Sequence, residues 1–292
     1  MNLAVVTDLP VLVEFLSTTR EGYLIASVFV VLFGGCVGSF LNVCIYRIPE
    51  EGLSIIRPRS YCPQCGKPLA IHHNIPLIGW FLLRGTCRFC KEPIAKRYPL
   101  VEWLTAFLFF GVWFKYGMTP LTPIFFLFMG GLIVGTFIDI DHLILPDRIT
   151  WGGALVGIVI SAFVPALHKA DTLGGGLSAS VIGATVGFGL LGLIMLLGEL
   201  IMKKEAMGFG DVKLMAAIGA FLGWQSILFT ILISSLVGSV FGISMVYIKG
   251  KDWDARIPFG PYLAAAAIIW VLGGESLWNA YLEWVTMTKV GY

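Results

Sequence analysis

Charge is scarce in this sequence: 13% of its 292 residues are Asp, Glu, Lys or Arg, against 57% apolar, with a mean hydropathy of +0.86. So few charges cannot clothe an ordinary water-facing surface, which excludes a soluble domain and makes a polytopic membrane protein the natural class. Histidine is scarcer still. His72, His73, His142 and His168 are the four present, and none forms an HExxH pair. No GxSxG elbow occurs, and no GxGxxG opens a Rossmann βαβ unit, the glycines at 187, 189 and 192 lying inside an apolar run, so nothing points to zincin hydrolysis, a serine elbow or a dinucleotide-type cofactor fold. Met1 to Arg20 holds Asp8, Glu14 and Arg20 with no basic start before an apolar core, unlike a cleavable secretory signal, so the first span is expected to stay in the mature chain. The net charge of +2 by itself neither points to nor excludes a nucleic-acid partner, and no nucleic acid enters the reading.

What is abundant is apolar sequence in runs long enough to cross roughly 30 Å of hydrocarbon. They are Tyr23 to Tyr46, Pro99 to Trp113, Thr122 to Ile138, Ile149 to Leu167, Leu177 to Met202, Val212 to Trp224, Ile227 to Ile248 and Pro258 to Leu272. This predicts an all-α polytopic membrane protein of about eight transmembrane helices, ending in an amphipathic tail. The sixth run is short and tolerable only beside other helices. Sorting the basic residues by the sides these runs create gives 16 of 20 on one side, leaving Arg20, Lys115, Lys169 and Lys289 on the other. Because Lys and Arg concentrate in cytoplasmic loops, the loops at 47–98, 139–148 and 203–213 are expected on the cytoplasmic face and both termini outside it.

Two of those loops carry acids at the membrane edge. Asp139, Asp141 and Asp147 lie between the third and fourth runs, and Asp211 lies in Gly208-Phe-Gly-Asp-Val-Lys213. Carboxylates beside hydrocarbon are expensive and usually mark function. Singly, each also reads as a helix cap or as a balance for Arg148 or Lys213. As a pair, they can share one proton, one acid taking a proton from water while the other donates to a carbonyl oxygen. The glycines Gly208 and Gly210 allow tight turns or close approach before Asp211, and Pro146 sets Asp147 at the head of the next span. Both acids are therefore expected at helix beginnings on one membrane face, where a dyad is geometrically allowed.

The 47–98 loop contains Cys62-Pro-Gln-Cys65 and Cys87-Arg-Phe-Cys90, with 21 residues between the two pairs. Four thiolates at CxxC…CxxC spacing suit a tetrahedral, structural zinc site. Iron in a rubredoxin-like knuckle fits the same ligands, and free structural thiols are the bland alternative. Cys36 and Cys44, in the first run, read as packing residues.

At these residues the sequence resembles the type IV prepilin peptidases, the leader peptidases and N-methyltransferases of bacterial type IV pili and type II secretion. Gly208-Phe-Gly-Asp211 resembles the GxGD signature that the family shares with presenilin-type intramembrane aspartyl proteases, and Leu145-Pro-Asp-Arg-Ile-Thr150 resembles its first catalytic loop. Gly38 to Pro49, Arg97 to Glu102 and Ile257 to Leu263 are similar to further family segments, so the resemblance runs from the first span to the last.

The resemblance implies Asp147 and Asp211 as the catalytic pair. Asp139, Asp141, Gly208, Gly210 and Lys213 would support it. It implies a bacterial inner-membrane enzyme that cleaves prepilin or pseudopilin precursors at the cytoplasmic face. It also implies methylation of the new N-terminus from S-adenosylmethionine. Nothing in the residues fixes a cofactor site: Gly34 to Gly38 reads as GxxxG helix packing, while Glu102 is a polar group able to meet the substrate amine or a loop Arg. The implied organisation is an extracytoplasmic segment at 1–22, a first transmembrane helix at 23–46 and a cytoplasmic cysteine-rich metal-binding loop at 47–98. A membrane-embedded peptidase core at 99–274 and an extracytoplasmic tail at 275–292 complete it. The alternative class is a proton- or cation-coupled transporter using the paired acids. A metalloprotease working through the cysteine loop and a non-catalytic assembly scaffold are further rivals.

Overall fold

The computed structural model describes residue 16 and residues 19–50, 52–57, 61–62, 64–68, 75–203, 207–249 and 257–290. Among these the chain is helical, and its only pairings outside helices are isolated bridges, Tyr61 with Pro68 and Thr86 with Pro93. It divides into two compact units, residues 1–134 and 135–292.

The first unit holds α1 (Arg20–Arg47), a short α2 (Gly79–Leu82), α3 (Arg97–Tyr116) and the first part of α4 (Leu121–His142). Thr19 caps α1, its side-chain oxygen accepting the Gly22 N–H at 3.0 Å. Along α1, Gly34 and Gly38 face α3 so closely that a Cβ on either would come within 2.7 Å of the Cα of Ala106 or Glu102. The GxxxG is thus a helix-packing face, as expected, because only glycine lets two backbones approach this far without a hydrophobic drive between helices in lipid. Leu24, Ile25, Val28 and Phe29, on the opposite side of α1, are each more than half exposed, which suits hydrocarbon and not water. Trp113 closes the pair by donating its indole N–H to Ser27 Oγ at 3.1 Å.

The second unit continues with α5 (Asp147–Phe163), a 3-10 turn (Pro165–His168), α6 (Leu173–Met202), α7 (Phe209–Leu222) and α8 (Trp224–Lys249). It ends with α9 (Gly260–Ile269), a π turn (Trp270–Gly274) and α10 (Glu275–Val290). Its centre is α7, whose residues from Asp211 to Phe221 are buried with the exception of Lys213. This explains how a run too short to span alone is accommodated: its neighbours cover it. A Cβ on Gly183 or Gly219 would strike the other's carbonyl, and one on Gly187 would strike Met215, so α6 lies antiparallel against α7. On the other flank Gly153 faces Ala217 and Gly157 faces Ala220 and Phe221, which sets α5 parallel to α7.

The fourth apolar run was expected to continue to Leu167, but α5 stops at Phe163. Val164 precedes Pro165 and is held at φ −125, ψ 75, outside the helical region that a following proline disfavours. Five described stretches are long and apolar enough to cross a membrane: Arg20–Arg47, Leu121–His142, Leu173–Ile201, Trp224–Met245 and Gly260–Thr286. The last carries the eighth run past Leu272 through the π turn. Together with α3, α5 and α7, these make an all-α multi-pass membrane protein.

Candidate active site and metal centre

Pro146, at φ −60 and ψ 140, turns the chain into α5 so that Asp147 is its first residue, with the Thr150 N–H returning to the Pro146 carbonyl. Gly208 does the same for α7, placing Asp211 in the first turn. Because α5 and α7 run parallel, both acids lie at the same end of the helix pair. Gly208 sits at an ordinary φ of −71 and needs no glycine-only conformation. Gly210 is glycine for a contact reason, since a Cβ there would press within 2.9 Å of the Leu145 Cβ. The first turn of α7 is thereby seated directly on the loop that carries Asp147.

The carboxylates have distinct surroundings. Asp147 is 65% exposed at its side chain and accepts from Lys213 Nζ at 2.6 Å, and that ammonium also lies 5.0 Å from the Phe209 ring centroid. Asp211 is 6% exposed, and its Oδ1 is buried without a hydrogen-bond partner. A buried, unpaired carboxylate oxygen is costly and marks a group kept for something other than packing. Asp139 is buried on α4 and is the acid that acts on Asp211 electrostatically. Its Oδ2 accepts the Gly260 N–H at 3.0 Å, tying the start of α9 to the same cluster. Asp141 is exposed near the end of α4. The structure therefore gathers Asp139, Asp147, Asp211, Gly208, Gly210 and Lys213 at one end of the second unit. The link from Asp139 to Gly260 spans 121 residues of sequence and carries no local signal that could have announced it.

The second site lies in the first unit. The Sγ atoms of Cys62, Cys65, Cys87 and Cys90 all lie within 4.8 Å of one another, and Cys62 and Cys90 are 3.8 Å apart. A tetrahedron with Zn–S bonds of about 2.3 Å has S···S edges of about 3.8 Å, so the four thiols suit a zinc-sized ion. The two halves repeat one local design. Gly66 N–H returns to the Cys62 carbonyl and Cys62 N–H to Lys67, while Lys91 N–H returns to Cys87 and Cys87 N–H to Glu92. Gly66 and Lys91 both take positive φ, 67 and 62, just after the second cysteine of each pair.

Backbone N–H groups of Cys90 and Phe89 aimed at its sulfur pull the Cys87 thiol down to about 6, favouring the thiolate that a metal needs. Cys90 is pushed up to about 11. There the Glu92 amide pulls downward, and burial with the neighbouring sulfurs outweighs it. All six cysteines are free thiols. Glu102, on α3, is buried 9% exposed, and its Oε2 accepts the Leu77 N–H at 2.8 Å.

Two family models match the chain: the bacterial peptidase A24 N-terminal domain over residues 32–116 and the type IV leader peptidase family over residues 126–243. A protein of Aeromonas salmonicida named prepilin leader peptidase/N-methyltransferase is 39% identical over 284 residues, covering 87% of this chain and 93% of its own. Proteins of the same name from Stutzerimonas stutzeri and Pseudomonas aeruginosa are 34% and 35% identical, with at least 93% of this chain and 98% of theirs covered. No solved structure matches.

Proposed function

The chain belongs to the type IV leader peptidase family, and from that premise we propose that it is a membrane aspartyl endopeptidase and N-methyltransferase for type IV prepilins or pseudopilins. Asp147 and Asp211 are the catalytic pair in this reading, acting at the cytoplasmic edge of a bacterial inner membrane. The observation that carries it is the placement of both acids in the first turns of parallel helices, with one oxygen of Asp211 buried and unpartnered.

The chemistry follows from the difference between the two carboxylates. One takes a proton from a water whose oxygen attacks the scissile carbonyl carbon, while the other, protonated, donates to the carbonyl oxygen. Collapse of the tetrahedral intermediate breaks the C–N bond, and the proton goes to the leaving amine. Lys213 holds Asp147 in position, and Asp139 anchors Gly260 beside the pair. Asp141 remains a peripheral charge. A precursor with a short basic leader and a long apolar helix presents its cut site at the membrane edge, where these helix starts would lie if the 139–148 and 203–213 loops face the cytoplasm.

The four cysteines would hold zinc, which supplies cross-linking of the loop and no open position for hydrolysis. The proposed organisation keeps 1–22 and 275–292 outside the cytoplasm, the helix at 23–46, the cysteine loop at 47–98 and the peptidase core at 99–274. To test the reading, the purified protein is incubated with a synthetic prepilin and S-adenosylmethionine, and leader loss and the mass of one added methyl are read separately. Both changes are expected. An intact leader, with proton uptake by vesicles holding the pure protein, would replace this reading with a transporter.

A further inference from the structure

Three aromatic rings form a shelf that begins beside Asp147 and takes no part in the proton transfers. The Phe188 ring, on α6, lies 5.6 Å from the Trp151 ring of α5 and 6.0 Å, edge-on, from the Phe209 ring at the head of α7. Lys213 closes the circuit. Its ammonium lies 5.0 Å from the Phe209 centroid and pairs with Asp147, which stands one helical turn before Trp151 on α5. The ion pair and the three rings are therefore one continuous patch.

These rings are not core. Trp151 is 45% exposed and Phe209 51%, and Phe188 is partly exposed, whereas Val212 and Met215 on α7 are fully buried. Anchoring to lipid headgroups favours Trp and Tyr, whose polar ends reach the interface, yet two of these three rings are Phe and the patch ends on an ion pair. Beside Phe188 the surface of α6 is kept low. A Cβ on Gly189 would meet nothing within 4 Å, and one on Gly192, a turn beyond Phe188, would meet only a methyl of Val212 at 3.6 Å. Gly183 and Gly187 of the same helix, by contrast, are forced to be glycine by their contact with α7. Glycine inside a helix costs stability relative to alanine. No contact among the described residues requires it at 189 or 192, but close approach by another chain would.

We propose that this shelf is the subsite for the first side chain after the scissile bond, and that it selects a large apolar side chain there, an aromatic ring above all. The proposal rests on the peptidase reading and deepens it. Trp151 lies one turn, about 6 Å, further into the span than Asp147, so the shelf is on the hydrocarbon side of that acid. A precursor whose apolar helix follows the cut presents the first turn of that helix at this depth. Ring-on-ring contact in offset or edge-to-face geometry favours an aromatic side chain beyond the area it buries, and Gly189 and Gly192 let the substrate backbone come close. Phe209 stands two residues before Asp211. A chain anchored on the shelf therefore runs over the head of α7, into the helix starts that carry both acids.

The test uses the full-length protein in detergent and two synthetic prepilins, identical except for Phe or Ala at the first position after the cut, with kcat and KM measured for each. Wild type is expected to cleave the Phe precursor with at least tenfold higher kcat/KM. Trp151→Ala and the volume-conserving Phe188→Leu are each expected to lower kcat/KM at least threefold on the Phe precursor and less than twofold on the Ala precursor, which also reports an intact fold. Phe163→Ala, at the far end of α5 and 76% exposed, should leave both rates unchanged. Equal slowing of both precursors by the two shelf variants would mean that the rings only hold the helices together, and would overturn the proposal. An undiminished preference for Phe in both variants, or no preference in wild type, would overturn it as well while leaving the peptidase reading intact. A wild-type protein that leaves both precursors uncut overturns the peptidase reading and the shelf with it.

Discussion

The two units solve the problem of holding reactive side chains in different ways. In the second unit Asp147 and Asp211 stand in the first turns of helices and Asp139 in a buried helical turn, and the helices are locked by glycine contacts such as Gly183 with Gly219. In the first unit the polar groups are held by a loop whose order comes from two cysteine turns and a few long-range bonds, among them Leu77 to Glu102 and Trp80 Nε1 to the Ile94 carbonyl at 3.0 Å. A site on packed helices depends on the bilayer core, whereas a site on a stapled loop depends on the staple. The two activities of one chain should therefore fail separately.

The largest separation is expected between Asp147→Asn and the double variant Cys62→Ser, Cys87→Ser. The first should lower leader cleavage by about 10²–10⁴, the range for a lost general acid or base, without altering metal content. The second should lose its bound metal in elemental analysis and lose methyl addition, with cleavage within about threefold of wild type. Equal loss of both activities in both proteins would mean that the units do not work independently.

Packing comes next. Gly183→Val should destabilise the second unit by about 1–3 kcal/mol through overpacking, read as a lower thermal midpoint, while the metal content of the cysteine loop stays unchanged. A smaller effect is expected at Asp139. Asp139→Ala leaves the buried Gly260 N–H without its acceptor, a cost of about 1–3 kcal/mol, whereas Asp139→Asn keeps an acceptor. Cleavage should fall further in the alanine variant, and equal activities would remove Asp139 from the positioning role.

The smallest effect concerns His168, which burial holds below the ordinary imidazole value while the Ala220 carbonyl opposes the shift. A depressed folded value means that the unfolded chain binds the proton more readily, so stability is full above the ordinary value and falls as pH drops below it. The thermal midpoint should thus decline from pH 7.5 to 5.5, and by less in His168→Asn.

Much of this was legible in the chain. The apolar runs locate α1 and α3 to α9 but stop short of α10, Pro146 and Gly208 announce the starts of α5 and α7, and the CxxC pairs announce the sulfur cluster. The end of α5 was misplaced because apolar content continues through Val164 while the proline geometry does not. The reason for Gly210 is a contact with Leu145, which no local pattern encodes. Neither the Asp139 to Gly260 bond nor the Leu77 to Glu102 bond could be read beforehand, because each joins segments through tertiary packing alone.

The most direct measurement is leader cleavage by Asp211→Asn, purified with its metal bound and assayed beside wild type on one synthetic prepilin. The account predicts that the precursor keeps its leader while S-adenosylhomocysteine still binds as it does to wild type. Removal of the leader at the wild-type rate by that variant would contradict it.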